Sequence, residues 1–239
     1  MFYPYFYLFY LFKYGFYLRK HLFIWFFIFF IFCTGEKTRL SIILAHFHSL
    51  SMKYVPELII ERDDNVYPPS DDSLLLIRSF DVRPGERILE IGCGSGIVSM
   101  HCVLNGGTVA CGDINMKAVE LTKKNMALNS LHATVFETDI YSNVSGRFDT
   151  IIFNLPYLPV KEEGDLALAW SGGEDGLGPL PDLISGARGH LMPGGRLIVV
   201  ASSLMDQDAL RSVLKGLEVK VLSELLLFFE KLSVLEISL

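Results

Sequence analysis

The chain is poor in cysteine. It has four, Cys33, Cys93, Cys102 and Cys111, and none stands in a C-x-x-C pair. That spacing argues against a zinc ribbon, a redox motif or a disulfide scaffold, and it suits a reducing compartment. No metal site is expected. Acid is almost missing from the first fifty residues, where only Glu36 faces the bases Lys13, Arg19, Lys20, Lys37 and Arg39. A basic excess is missing from the rest. Of 27 acids and 21 bases, 26 and 16 lie from Met52 onward, a net of −10 there against −6 for the whole chain. Such a charge is a poor match to a phosphate backbone, so stable nucleic-acid binding is not expected. An apolar run of spanning length is missing too. The longest uninterrupted one, Leu22 to Cys33, is twelve residues, where a membrane helix needs about 20.

What is abundant is aromatic, and it is crowded at one end. Phe, Tyr and Trp number 18, 10 and 2, and 18 of these rings lie in residues 1–33. Such a segment is a membrane anchor, a signal peptide, or no part of the native protein. The third reading is adopted, because translated AT-rich intergenic DNA tends to encode Phe, Tyr, Ile, Leu and Lys. Residues 1–51 are therefore set aside as a hydrophobic extension, and residues 52–239 are read as the working domain. Its expected location is cytoplasmic. Membrane contact is expected only if residues 1–33 are native.

From Met52 onward, strand-like and helix-like segments alternate. Residues 87–91, 108–114, 133–137, 148–153, 196–201, 219–226 and 232–237 read as strands. Residues 96–104, the stretch from the Asn115 cap to about Asn129, 180–191 and 206–217 read as helices. Pro193-Gly194-Gly195 should break the chain after the third of these. The alternation predicts an α/β fold, a mainly parallel seven-stranded sheet with helices on both faces. Ligands of such sheets lie at the carboxyl ends of the strands.

The motifs fall at those ends. Glu90-Ile91-Gly92-Cys93-Gly94-Ser95-Gly96 closes the first strand and opens the first helix. A dinucleotide fingerprint needs a third glycine three residues after Gly94, and Ile97 stands there. The spacing E-x-G-x-G-x-G is instead similar to the S-adenosylmethionine loop of class I, Rossmann-like methyltransferases. An acid beside that loop suits a cationic cofactor, and backbone N–H groups suit its carboxylate. Asp113 ends the second strand, where a carboxylate can accept ribose hydroxyls. Asp139 follows the third, where one can accept from an adenine amino group. Ile114 and Ile140, next to these acids, are counted in the same site.

The fourth strand runs into Asn154-Leu155-Pro156-Tyr157. A planar –NH2 group is a poor nucleophile, since its lone pair is delocalised. The Asn154 side-chain oxygen and a backbone carbonyl can accept its two hydrogens and hold the nitrogen in line for attack. Tyr157 can stack on the planar group.

These motifs together resemble the HemK/PrmC family of protein-glutamine methyltransferases, across residues 52–239. The likeness includes Val66-Tyr67-Pro68-Pro69-Ser70-Asp71-Asp72, close to the family's VYEPxEDT. It includes Gly172-Gly173-Glu174-Asp175-Gly176 and Phe229-Glu230-Lys231-Leu232. The resemblance implies S-adenosylmethionine as cofactor, with Tyr67, Pro69 and Asp72 joining the glycine loop in holding it. It implies as substrate the Gln of a peptide-chain release factor's GGQ loop. The chain lacks the bacterial docking domain, so it is similar to the short archaeal and eukaryotic branch. That branch implies a small zinc-binding activator protein as partner, and residues 133–137 are expected to form an open sheet edge for it. The family's usual clamp is NPPY, and Leu155 departs from it. The carbonyl acceptor survives, so Leu155→Pro is expected to be tolerated. NLPY is also typical of rRNA adenine dimethylases, so an adenine-N6 methyltransferase acting on rRNA or DNA is the alternative. A protein-lysine methyltransferase is another.

Overall fold

In the computed structural model, residues 51–162, 164 and 166–239 are described. The hydrophobic extension, apart from its last residue, lies outside them. The first helix, α1 (Asp71–Ile77), precedes β1 (Arg87–Ile91), α2 (Ile97–Leu104), β2 (Thr108–Asp113), α3 (Met116–Leu128), β3 (Thr134–Glu137) and β4 (Phe148–Phe153). Then come α4 (Leu180–His190), β5 (Leu191–Ser202), α5 (Gln207–Val213), β6 (Glu218–Leu226) and β7 (Lys231–Ser238). The sheet order is β3-β2-β1-β4-β5-β7-β6, parallel except for β7. The expected architecture is the observed one.

Side chains alternate between two cores, as strands buried on both faces require. Leu89, Ile91, Ile151, Phe153, Leu197 and Val199 pack with Leu180, Leu183 and Ala187 of α4. Their neighbours Ile88, Ile152, Ile198 and Val200 pack with Leu76 and Ile77 of α1 and Val98 and Cys102 of α2. The strand order reverses between β1 and β4, opening a crevice at their carboxyl ends.

Three boundaries differ from the sequence reading. Pro193-Gly194-Gly195 does not separate α4 from the next strand; it lies inside β5. There Leu191 pairs with Phe148 and the register jumps to Arg196 opposite Thr150, so the turn residues form an irregular excursion within the ladder. Helix α5 is shorter than expected. It is capped by Asp206, whose carboxylate accepts from the N–H groups of Asp208 and Ala209, and the chain turns at Gly216 with φ +82°. Helix α1 was not read as an element at all.

The segment ahead of α1 is strapped across α2 and α3 by side chains. Val55 N–H donates to His101 Nε2 (3.1 Å), Ile59 N–H to Asn129 Oδ1 (2.9 Å) and Glu61 N–H to Asn125 Oδ1 (2.9 Å). Asn125 is fully buried, and its Nδ2 also reaches the carbonyl of Ser95 in the glycine loop (2.9 Å). One side chain thus joins the strap, α3 and the loop. Asn125→Ala is expected to lower stability by about 2–3 kcal/mol, because it leaves buried backbone groups unpaired. In thermal denaturation that is a melting point lower by roughly 4–12 °C. An unchanged melting point would contradict it.

Candidate active site

A cavity of about 550 Å³ opens at the carboxyl ends of β1, β2 and β4. It is lined by every site residue read from the sequence except Gly96. Three segments make the cofactor side: the glycine loop, the turn after β2 with Asp113 and Ile114, and the turn after β3 with Asp139 and Ile140. The far wall is Asn154 to Tyr157, and Tyr67, Pro69 and Asp72 close the side. Gly96 instead starts α2 at φ +81°, and a Cβ there would strike Thr122 at 2.9 Å.

The glycine loop is fixed from below. Asp113 is buried, and its Oδ2 accepts from Gly94 N–H (2.9 Å) while Oδ1 accepts from Asn115 N–H (2.9 Å). Burial raises the Asp113 pKa, and these backbone donors oppose the rise. Gly94 has φ +54°, and a Cβ there would meet nothing nearer than the Tyr67 carbonyl at 4.0 Å. The loop therefore presents bare backbone to open cavity, which is what a close-lying cofactor needs.

The wall opposite carries the most informative atom. Asn154 Oδ1 is buried with no hydrogen-bond donor in reach. Among the described residues only His190 Nδ1 shares that condition, and its ring stacks on Tyr141 instead. Buried acceptors without donors are rare and costly, and they concentrate where a ligand completes them. The segment around Asn154 is braced on several sides. Tyr157 OH donates to Asp72 Oδ2 (3.3 Å), and Asp72, buried, also accepts from Ser73 N–H (2.5 Å). Burial first, then the Asp72 charge, raises the Tyr157 pKa, so its hydroxyl stays a donor. From behind, a Cβ on Gly178 would lie 2.7 Å from the Pro156 carbonyl, and one on Gly176 2.7 Å from that of Tyr157. The Gly172–Gly178 loop can touch this backbone only because it has no side chains there.

One expectation is corrected. The Leu155 side chain is 1 % exposed and packs with Phe153, Leu177 and Leu180. A prolyl ring is smaller, so Leu155→Pro removes buried contacts and is not silent.

Sequence reading missed Trp170 and the 3-10 turn Ala167–Ala169. Trp170 lines the cavity across from Tyr67, with ring centroids 6.4 Å apart, and its indole N–H donates to Glu162 Oε2 (2.9 Å). The usable signal was that it is the sole Trp after Met52, directly before Ser171-Gly172-Gly173. Helix α1 also had a signal, two acids in its first turn after Ser70 and then an apolar run.

Glu90 is 3 % exposed, accepts from the Ser99 hydroxyl, and is pushed up to about 8 by burial, with Asp113 adding to the rise. Its unfolded value is near 4.5. Between those values the folded state keeps a proton that the unfolded state has lost, so stability falls as pH rises through this window and levels off above about 8. Glu90→Gln removes the buried charge. It is expected to be more stable than wild type at pH 9, by a few kcal/mol at most, with the gap closing toward pH 5. Calorimetry across that range checks this; a gap independent of pH would contradict it.

Comparison with known proteins gives this geometry its family. Residues 69–224 match the family model "Methyltransferase small domain". A Methanocaldococcus jannaschii protein described as a candidate protein N5-glutamine methyltransferase is 37% identical over 177 residues, 71% of this chain and 90% of its own. A ribosomal RNA small subunit methyltransferase C of Chromohalobacter salexigens is 31% identical over 121 residues, 51% of this chain but only 33% of that protein. Among solved structures, the E. cuniculi Mtq2-Trm112 complex, described as methylating the eRF1 termination factor, aligns with TM-score 0.58 and 16% identity. That alignment covers 72% of this chain and 98% of the other. A ribosomal protein L11 methylase from Lactobacillus delbrueckii aligns with TM-score 0.55 and 21% identity, over 77% and 89% of the two chains. Identities this low speak to the fold alone. The matched residues begin at Pro69 and run through the glycine loop, both acids and the amide wall, and the chain belongs to the methyltransferase small-domain family, as an S-adenosylmethionine-dependent N-methyltransferase of the HemK/PrmC-like kind.

Proposed function

We propose that the chain methylates the side-chain amide nitrogen of a glutamine in a protein, the glutamine of a peptide-chain release factor's GGQ loop. The observation that carries this reading is Asn154, which lines the cavity and whose side-chain oxygen has no hydrogen-bond donor among the described residues. A primary amide supplies the missing donor. The candidate glutamine methyltransferase at 37% identity supports the same choice.

S-adenosylmethionine, when bound, supplies a methyl carbon made electrophilic by its sulfonium. The residues present fit it. Gly92, Cys93 and Gly94 offer bare backbone, Asp113 and Asp139 offer acceptors, Ile114 and Ile140 offer apolar contact, and Glu90 lies beneath with its carboxyl group. Tyr67, Pro69 and Asp72 border the same space. Asn154 Oδ1 and the Leu155 carbonyl each accept one hydrogen of the substrate amide. That fixes its plane and localises electron density on nitrogen. Tyr157, anchored through Asp72, keeps the plane from tilting. After methylation the nitrogen carries one proton too many, and these two oxygens hold it until water takes it. No general base has to act before attack.

The partner reading goes with this. Strand β3 is an edge, as expected for residues 133–137. Beside it lies a groove of about 470 Å³ lined by Met126, Leu131, His132 and Val135. A small zinc-binding activator adding a strand there suits both features. The assembly is assigned to the cytoplasm.

Two experiments test the reading. Wild type is incubated with labelled S-adenosylmethionine and, in parallel, release factor, rRNA and DNA, and products are mapped by tandem mass spectrometry. The expected product is N5-methylglutamine; N6-methyladenine or methyl-lysine would overturn the assignment. Asn154→Ala should keep cofactor affinity and lose roughly 10²–10³ in turnover. Gly94→Val should lose cofactor binding, because the valine fills the open approach. Co-expression with the activator should raise solubility and activity together, and a fully active monomer without partner would overturn that part alone.

A further inference from the structure

The hairpin between β6 and β7 ends in two phenylalanines that no other described residue covers. Phe228 is 91 % exposed and Phe229 84 %, and among the described residues their rings pack on each other, edge to face at 4.5 Å. Leu226 beside them is 78 % exposed. Holding such side chains in water forgoes the stabilisation that burial of an aromatic ring brings. A turn of polar residues would have closed the hairpin without that loss.

Their location is not arbitrary. β7 is antiparallel to β5, with Leu232 opposite Ser202, so the hairpin turn stands at the carboxyl end of the sheet, the end that holds the cavity. Only β5 lies between β4, which leads into Asn154, and β7. Phe153 is level with Val199 and Leu235, so Phe229 lies six residues further along the hairpin and two strand spacings aside, on the order of 20 Å from the amide wall. The turn is also tied to that end. The Ser202 hydroxyl donates to Glu230 Oε1 (2.5 Å), and Ser203 N–H donates to the Lys231 carbonyl (2.9 Å). The Glu230 charge is close enough to be felt at the hydroxyls of Tyr157 and Tyr67.

Charge narrows what covers the rings. Asp139 lines the cavity, Asp71 adjoins its lining residue Asp72, and Glu162 accepts from its lining residue Trp170; these exposed acids and Glu230 make no ion pair among the described residues. Lys231, two residues after Phe229, is already paired with Glu224 at 2.7 Å. An acidic mouth flanked by two bare rings fits a basic polypeptide with an apolar side chain close to the modified residue.

We infer that Phe228 and Phe229 are a docking platform for the protein substrate, gripping an apolar side chain about six to eight residues from the methylated glutamine. That spacing follows from the roughly 20 Å between rings and amide wall and about 3.3 Å per extended residue. The inference rests on the protein-glutamine reading of the site and adds where the rest of the substrate lies.

The test compares wild type with the double variant Phe228→Ser/Phe229→Ser on intact release factor and on a five-residue peptide centred on its glutamine. The peptide extends only about 7 Å either side, too short to reach the rings. The expected result is a fall in kcat/KM on the intact factor of about 10- to 100-fold, carried by KM. Rates on the peptide, cofactor affinity and melting temperature should stay within error of wild type. Phe228→Tyr/Phe229→Tyr should retain most of the activity on the intact factor. Equal kcat/KM on the intact factor overturns the inference, and so does an equal loss on the peptide. Wild type floating with phosphatidylcholine vesicles while the serine variant does not, with kcat/KM unchanged, assigns the rings to a membrane and overturns it too. If wild type methylates neither substrate, the glutamine reading itself has failed and the inference falls with it, a result distinct from equal rates.

Discussion

A buried amide oxygen without a donor costs on the order of 1–3 kcal/mol, so a fold holds one only if neighbouring structure leaves it no alternative. Asn154 Oδ1 is held that way. Leu155 anchors the following residue in the core beneath the sheet, and Asp72 holds the Tyr157 hydroxyl from α1. Gly176 and Gly178 bring a loop against the carbonyls behind. These contacts brace the backbone that follows Asn154. On the proposed reading, the amide of a substrate in the cavity that Asn154 lines supplies the donor this oxygen lacks.

The opposite side of the cavity follows a related rule. Its acids sit where burial makes charge expensive. Glu90 and Asp113 both have raised pKa values, chiefly through burial. Asp113 is tempered by the backbone N–H groups of Gly94 and Asn115, so the same carboxylate that faces the cofactor space also sets the loop's shape. Position and electrostatics are coupled in one side chain. A nearby cation would relieve the strain on both acids, which matches a sulfonium cofactor better than a phosphate-bearing one.

Much of this was legible in the sequence because the fold places its chemistry at strand ends. The β-branched and apolar runs at 108–113 and 148–153 identify strands buried on both faces, and the residues just after them are then the site residues. The Asn115 cap was legible for the same local reason, a side chain serving its own helix. What was illegible was set by long-range contact. Trp170 reaches the cavity through a loop whose path depends on Leu158 pairing with Ser171. Pro193-Gly194-Gly195 reads locally as a stop, yet it is absorbed into β5 because Leu191 finds Phe148 across the ladder. Leu155 reads as a harmless replacement for proline until its burial is seen.

The account's central claim is that Asn154 completes its hydrogen bonding on a substrate amide. It is tested most directly by a crystal structure of the protein with S-adenosylhomocysteine and a glutamine-containing peptide. The account predicts the glutamine amide nitrogen within about 2.7–3.2 Å of both Asn154 Oδ1 and the Leu155 carbonyl, with the hydrogens shared between them. An amide bound elsewhere, with Asn154 Oδ1 rotated onto a protein donor, would contradict it.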